Sequence, residues 1–410
     1  MFKKILALAL AVLMVFAMGV SMTSCSGEQG EAGEVADDFK LGVILLHDEA
    51  STYDLNFIEA VNRAAEALGL DDTQVIMKKN IPEGNECYEA AADLVDEGCD
   101  VIFADSFGHE DYMIKAAKEF PEVEFCHATG TKAHTEGLAN FHNAFASIYE
   151  GRYLAGVAAG MKLNEMIEAG TINPEQAKMG YVGAFTYAEV MSGYTSFYLG
   201  AKSVCPDVIM DGQFSGSWYD ETAEKNTALA LIISGCHLIS QHADSRGAPT
   251  ACEERGVPNV SYNGSTVAAC PNTFIVSSKI DWTPYFKLIC EASMNGTEIP
   301  TDWTGTIETG SVVLTDVNTQ AAAAGTVEKI EEVKAALVAG EVKVFDTATE
   351  GFITVDGAPL ASYMADVDTD AAFTPDTEAV ADGYFHESEY RSAPYFNVEI
   401  DGITLLNSKF

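Results

Sequence analysis

Phe39-Lys-Leu-Gly-Val-Ile-Leu-Leu-His-Asp-Glu-Ala-Ser-Thr-Tyr-Asp-Leu-Asn-Phe-Ile-Glu-Ala-Val-Asn-Arg-Ala-Ala-Glu-Ala-Leu68 is the stretch on which the fold turns. Leu41 to Leu46 is a short apolar run rich in branched residues with polar flanks, the pattern of a parallel strand buried on both faces. From Asp54 the apolar positions Leu55, Ile58, Val61, Ala64, Ala65 and Leu68 take helical spacing, with Ser51 or Thr52 available to cap the start. The polar loop Asp48 to Asp54 then falls at the carboxyl end of the strand, where ligands bind in open α/β sheets.

The same unit recurs along the chain. Strands are predicted at 75–79, 101–104, 123–127 and 138–145, with helices at 86–96 and 111–120 between them. A long helix follows from Ser147 through Gly160, whose small residues predict close packing against a sheet. The cycle then restarts with strands at 179–184, 208–214, 237–242 and 260–262 and helices at 190–204, 222–234 and 249–255. Strands alternating with helices imply right-handed crossovers and parallel sheets. The fold class expected is α/β, with two doubly wound parallel-sheet lobes and a chain that crosses between them more than once. Lobe 1 is expected over 40–146 plus 273–310, so that the unit beginning at Phe274 returns to it. Lobe 2 is expected over 147–272 plus 311–346, and residues 347–410 form an acidic tail that packs on the lobes.

Residues 1–25 stand apart. Lys3 and Lys4 precede an apolar segment from Ile5 to Val20, and Met22-Thr23-Ser24-Cys25 follows, which describes a secretory signal ending in a bacterial lipobox with lipid attachment at Cys25. An ordinary signal peptide beside a coincidental cysteine is the alternative. Residues 26–38, rich in Gly, Glu and Ala, read as a flexible tether. The full chain has net charge −39, and removing the leader leaves 21 basic against 62 acidic residues, net −41. Such a surface repels phosphate backbones, so no nucleic-acid partner is expected. Beyond the leader no run approaches the ~18 apolar residues that span a bilayer.

Catalytic and cofactor signatures are missing: no Gly-x-Ser-x-Gly, no His-Glu-x-x-His, no Walker sequence and no Gly-x-Gly-x-x-Gly after the first strand. The eight histidines share no spacing, and the eight cysteines beyond Cys25 form no metal pattern. Those cysteines are compatible with disulfides outside the cytosol or with buried thiols acting as small hydrophobes. No enzyme, cofactor or metal is expected.

What recurs is a polar or aromatic residue just after each strand: Asp48, Tyr53 and Asp54; Asp105-Ser106-Phe107-Gly108; Phe185, Thr186 and Tyr187; Trp218-Tyr219-Asp220; Gln241-His242-Ala243-Asp244-Ser245; Tyr262-Asn263. All would lie at the carboxyl edges of the sheets and face one cleft. Each also has a plain structural reading, the rings as packing residues, Asp48, Asp54 and Asp244 as helix caps, Lys279 as a solvated strand-end charge. Their joint placement favours a ligand, since aromatic faces suit a flat ring and carboxylates suit hydroxyls and ring nitrogens.

Leu41-Gly-Val-Ile-Leu-Leu46, Ser51-Thr-Tyr-Asp-Leu-Asn-Phe57, Glu150-Gly-Arg-Tyr-Leu-Ala-Gly-Val-Ala-Ala159, Gly180-Tyr-Val-Gly-Ala184 and Ser277-Ser-Lys279 together resemble the basic membrane protein family. These are lipoprotein substrate-binding proteins of ABC transporters, similar to the purine nucleoside receptor. The resemblance covers roughly residues 40 to 345. It implies a periplasmic-binding-protein type I fold with a multi-crossover hinge, a nucleoside-like small-molecule ligand, membrane permease subunits as partners, and a lipid-anchored, extracytoplasmic location. It also implies ligand contacts at Tyr53, Asp54, Phe107, Trp218, Asn263 and Lys279. The family's Ala-Gly-Gly-Thr-Gly loop reads here as Ala243-Asp244-Ser245-Arg246-Gly247, a departure that leaves the ligand's identity open. A sugar or other small polar solute, or a surface sensor without transport, are the alternatives.

Overall fold

A computed structural model describes residues 38–367 and 374–407. The leader, Cys25 and nearly all of the tether lie outside the described residues. The chain begins β1 (Leu41–Ile44), α1 (Thr52–Leu68), β2 (Val75–Lys78), α2 (Asn85–Asp96), β3 (Val101–Ala104), α3 (Glu110–Glu119), β4 (Glu124–Ala128), the short α4 (Ala133–Glu136) and β5 (Phe141–Ala146). It continues through α5 (Ile148–Glu168), β6 (Lys178–Gly183), α6 (Ala188–Val204), β7 (Ile209–Phe214), α7 (Glu221–Ile233), β8 (Leu238–His242), α8 (Gly247–Arg255) and β9 (Asn259–Tyr262). Then come β10 (Phe274–Ile280), α9 (Thr283–Asn295), β11 (Asp302–Gly305), β12 (Val312–Leu314) and α10 (Thr326–Val338).

Two sheets result. The first has the order β11-β5-β4-β3-β1-β2 and is parallel throughout. The second has the order β12-β10-β9-β8-β6-β7 and then the strand Ile403–Leu405, parallel except at β12. In both, the first strand of the lobe sits inside the sheet, which is why β1 is buried at every position and reads as an unbroken apolar run. The Ser51 side chain caps α1 by accepting from the Asp54 N–H at 3.2 Å, and Gly69 ends it at φ 73°.

Two expectations about the hinge need correcting. Phe274–Ile280 was expected in lobe 1, but β10 joins the second sheet, between β9 and β12. Only after it does the chain cross: Arg63 of α1 pairs with Asp281 at 3.0 Å, α9 packs on α1, and β11 extends the first sheet beside β5. The strand is buried on both faces in either sheet, so its composition does not distinguish them. The chain therefore crosses three times, at 146–148, 280–283 and 305–312. The small residues of α5, expected against a sheet, lie largely against α6. A Cβ on Gly156 would sit 2.0 Å from the Phe197 carbonyl oxygen, and one on Gly160 would sit 2.6 Å from that of Ala201. Gly151 alone of the three faces the second sheet, with Ser278 and Val312 as its neighbours.

The tail adds a strand to the second sheet and touches the first. Ile403–Leu405 pairs with β7, and Asn407 bonds both the N–H and the carbonyl of Phe214 at 2.8 and 3.0 Å. Toward the first sheet, the Ser392 N–H donates to Asp302 of β11 at 2.7 Å. Phe345 stacks on Phe396 at 4.5 Å, joining the end of the second lobe to the tail. The eight cysteines of the body are all free and buried.

Candidate functional site

The carboxyl ends of the two sets of strands enclose one narrow crevice, almost closed, with a cavity volume of about 20 Å³. Leu46 and Tyr53 follow β1, Ser106 and Phe107 follow β3, and Thr129 follows β4. From the second sheet come Glu189 at the start of α6, Trp218 after β7, His242 and Asp244 at the end of β8, and Tyr262 at the end of β9. Strand tips in doubly wound sheets leave such a gap because successive crossovers diverge there. The two lobes meet around it. The Asp244 carbonyl accepts from the Thr52 N–H at 3.0 Å and from its hydroxyl at 3.2 Å, and Phe107 stacks on Tyr187 at 5.3 Å.

Of the residues singled out in the sequence, Tyr53, Ser106, Phe107, Trp218, His242, Asp244 and Tyr262 line the crevice. Phe185 backs its wall: it stacks on Tyr187 at 5.1 Å and meets Trp218 edge-on at 5.0 Å. The others do not line it, and in most of them local hydrogen bonds show why. Asp54 is buried and accepts from the His47 N–H at 2.7 Å, fixing the loop after β1. Asp48 accepts from the Ala50 N–H at 3.0 Å and from Asn80 at 3.3 Å. The Gln241 amide donates to the carbonyls of Ala243 at 2.6 Å and Ser245 at 3.1 Å, so it shapes the loop that carries Asp244. Asn263 is buried at φ 62°, its N–H bonded to the Ser278 carbonyl at 2.9 Å. Lys279 lies 3.8 Å from Glu59 on α1. Exposed pairs of that kind contribute ~1 kcal/mol at most. Because Lys279 is not among the residues lining the crevice, Lys279→Ala is expected to leave ligand affinity within about twofold in a calorimetric titration.

Sequence reasoning missed Glu189, Thr129 and Leu46. His242 stands isolated in sequence, but its Nε2 lies 3.3 Å from the Glu189 carboxylate. Burial, with the nearby Arg152 charge adding to it, pushes His242 down to about 4, so near neutral pH it is an uncharged donor to Glu189. Arg152 itself is fully buried, its guanidinium 3.5 Å from the Tyr262 ring centroid and its Nη1 donating to the Gln241 carbonyl at 3.0 Å. The Tyr53 hydroxyl donates to the Asp105 carbonyl at 2.7 Å. Burial, and then the charge of Asp54, raises the Asp105 carboxyl well above the usual range. Asp244 is raised in the same way by burial and then by Asp54, Glu224 and Glu189, with Arg152 opposing. No group of three or more His, Cys, Asp or Glu among the described residues is arranged to hold a metal.

Behind Asp244, Glu224 accepts from the Ser245 N–H at 3.2 Å and from the Asp220 N–H at 3.2 Å. Burial raises its carboxyl from 4.5 to about 7. The folded state then holds a proton that the unfolded chain releases, so this group's contribution to stability is complete below pH 4.5 and declines as pH rises to about 7. A shift of that size is on the order of 3 kcal/mol. In Glu224→Gln the fall in melting temperature between pH 5 and pH 8 should be smaller than in the parent protein. An identical pH profile would contradict the assignment.

The sequence model of the Bmp family, described as ABC transporter substrate-binding protein PnrA-like, matches residues 42–347. The chain is similar to a purine-binding protein of Brucella abortus, 32% identical over 271 residues that span 65% of this chain and 72% of that protein. It is also similar to a protein of Haloferax volcanii named as an ABC transporter glucose-binding protein, 31% identical over 67% of this chain but only 63% of the relative. Among solved structures, an ABC transporter solute-binding protein of Aeropyrum pernix superposes with a TM-score of 0.63 at 18% identity, covering 76% of this chain and 94% of the other, which bears on the fold alone. The fold is that of type I periplasmic binding proteins, and the chain belongs to the Bmp family of PnrA-like ABC transporter substrate-binding proteins.

Proposed function

We propose that this substrate-binding protein captures a purine or a purine nucleoside in the crevice between its two sheets and presents it to the permease of an ABC importer. One observation carries the reading: the rings of Tyr53, Phe107, Trp218 and Tyr262, drawn from both lobes, share a single crevice with the buried carboxylate of Asp244. Stacking on a nucleobase is worth ~1–3 kcal/mol per ring, and side-chain acceptors supply direction. A flat ring held between two others needs ~7 Å between their planes, two carbon contacts of ~3.5 Å. The Phe107–Tyr187 stack, at 5.3 Å, must part to admit one there. Parting needs movement about the three crossings, so ligand entry is coupled to the lobe equilibrium.

Lipid attachment at Cys25 after export would hold the receptor at the outer face of the membrane, with residues 26–38 as its tether. The acidic body fits a small solute rather than nucleic acid. No bond is made or broken. A sugar is the second reading, favoured by the likeness to the glucose-named relative and by the capacity of aromatic rings to stack on a pyranose. Native mass spectrometry of the purified protein, followed by titration with adenosine, guanosine, inosine, uridine and glucose, separates the two. Saturable binding of a purine nucleoside is expected; binding of glucose alone would replace the reading with the second.

A further inference from the structure

We infer that Glu83, on the loop after β2, is a positioning residue for Phe107: its carboxylate holds the turn that carries the ring and so sets how tightly the crevice grips a flat guest. The inference rests on the purine reading above and deepens it. The loop after β2 places no residue in the lining of the crevice, unlike the loops after β1, β3 and β4. Its Glu83 reaches across to the β3 loop instead. One carboxylate oxygen accepts from the Ser106 hydroxyl at 2.6 Å and from the Gly108 N–H at 2.8 Å, the residues on either side of Phe107. A Cβ on Gly108 would sit 2.6 Å from the Glu83 carboxyl carbon, so the glycine is what lets the carboxylate come this close.

A solvated acid on an acidic surface is the plain alternative, and two observations favour the clamp over it. Phe107–His109 is a single 3₁₀ turn whose own N-cap residue, Ser106, makes no side-chain cap, because the Ser106 hydroxyl proton goes to Glu83. The free N–H at the start of such a turn is ordinarily met by the cap residue, and here the Glu83 carboxylate meets it from a neighbouring loop. The ring, for its part, is held by little else. Phe107 is 40% exposed, belongs to none of the hydrophobic cores, and stacks on Tyr187 of the other lobe, which must part from it when a guest enters. What keeps the ring in place is therefore its backbone. Glu83 has a firm base from which to act: the Ile81 N–H donates to the Leu45 carbonyl at 3.0 Å, and the His109 ring donates to the Ile81 carbonyl at 3.0 Å. The His127 ring completes the hold by donating to the Ser106 carbonyl at 2.7 Å. A loop already fixed in its bound geometry spares the guest the cost of ordering it.

The test is a double-mutant cycle read by titration calorimetry with adenosine, guanosine and inosine, with a thermal melt on each protein. The cycle compares the parent protein, Glu83→Ala, Phe107→Ala and the double variant, and Glu83→Gln is the conservative change. Phe107→Ala should weaken binding at least ~5-fold. Glu83→Ala should weaken it ~3- to 10-fold with little change in the melt. Glu83→Gln still offers an acceptor oxygen and should bind within ~2-fold of the parent protein. In the Phe107→Ala background the loss from Glu83→Ala should fall below ~1.5-fold, because no ring is left to position. The same loss in both backgrounds, no loss from Glu83→Ala, or a Gln variant as weak as the Ala variant overturns the inference and leaves the purine reading in place. Silence of the parent protein toward all three nucleosides removes the purine reading and this inference with it. Should Glu83→Ala fail to fold, Gly108→Ala, which displaces the same carboxylate, takes its place in the cycle.

Discussion

Gly156→Ala is expected to lower the melting temperature by roughly 4 °C or more and to cut the yield of soluble protein. A Cβ at this position would sit 2.0 Å from the carbonyl oxygen of Phe197, and across the same contact a Cβ on Gly200 would sit 2.0 Å from that of Tyr153. Both obstacles are backbone atoms inside helices, so no side chain can swing aside. The helices α5 and α6 must separate, and they carry the largest core of the molecule between them, with Val157, Tyr194, Phe197 and Leu199 all buried. Overpacking of this sort costs ~1–3 kcal/mol where neighbours can yield, and more where they cannot. Gly137→Ala is the control. Unlike Gly156, which lies in a helix, Gly137 has positive φ, 61°, but nothing lies within 4 Å of the added carbon, so only the ~1–2 kcal/mol of backbone strain should appear. Equal melts for the two variants would contradict the close helix crossing.

Trp218→Ala is expected to weaken ligand binding by ~1–3 kcal/mol, between about fivefold and more than a hundredfold in dissociation constant, with little change in the melt. The ring lines the crevice and is half-buried, and Phe185 and Tyr187 keep their own stack at 5.1 Å when it is removed. Tyr53 is a poorer probe despite its place in the crevice. Its hydroxyl holds the Asp105 carbonyl, and its ring packs edge-on against Phe57 at 4.9 Å, so its loss would unsettle α1 as well as the site. Titration calorimetry and a thermal melt on the same sample check the prediction. A fall in stability that matches the fall in affinity would return Trp218 to a packing role.

The opening strand, loop and helix were legible because a buried run followed by helical spacing has few other solutions, and the later strands repeat it. Seven lining residues were legible for a related reason, since a polar or aromatic residue at or just past a strand end falls at the sheet edge. Leu46 and Thr129 were not, because Leu46 reads as the last apolar residue of its strand and Thr129 carries neither a ring nor a charge. Glu189 opens a helix and reads as an ordinary first-turn acid. Asp54, Gln241 and Asn263 were misplaced for the opposite reason: they sit at the right strand ends, but the chain turns them toward its own backbone or into the core. The lobe of β10 is a matter of long-range pairing, which local composition does not carry. The tail's strands pair over two or three residues each, too short for a periodic signal.

A crystal structure of the protein with its co-purified or best-binding solute tests the central claim most directly. The account predicts a flat ring in the crevice, stacked on Trp218 or Phe107 and hydrogen-bonded to Asp244. A solute seated elsewhere, such as the groove between α5, β12 and α10, or one in the crevice that touches neither ring, would contradict it.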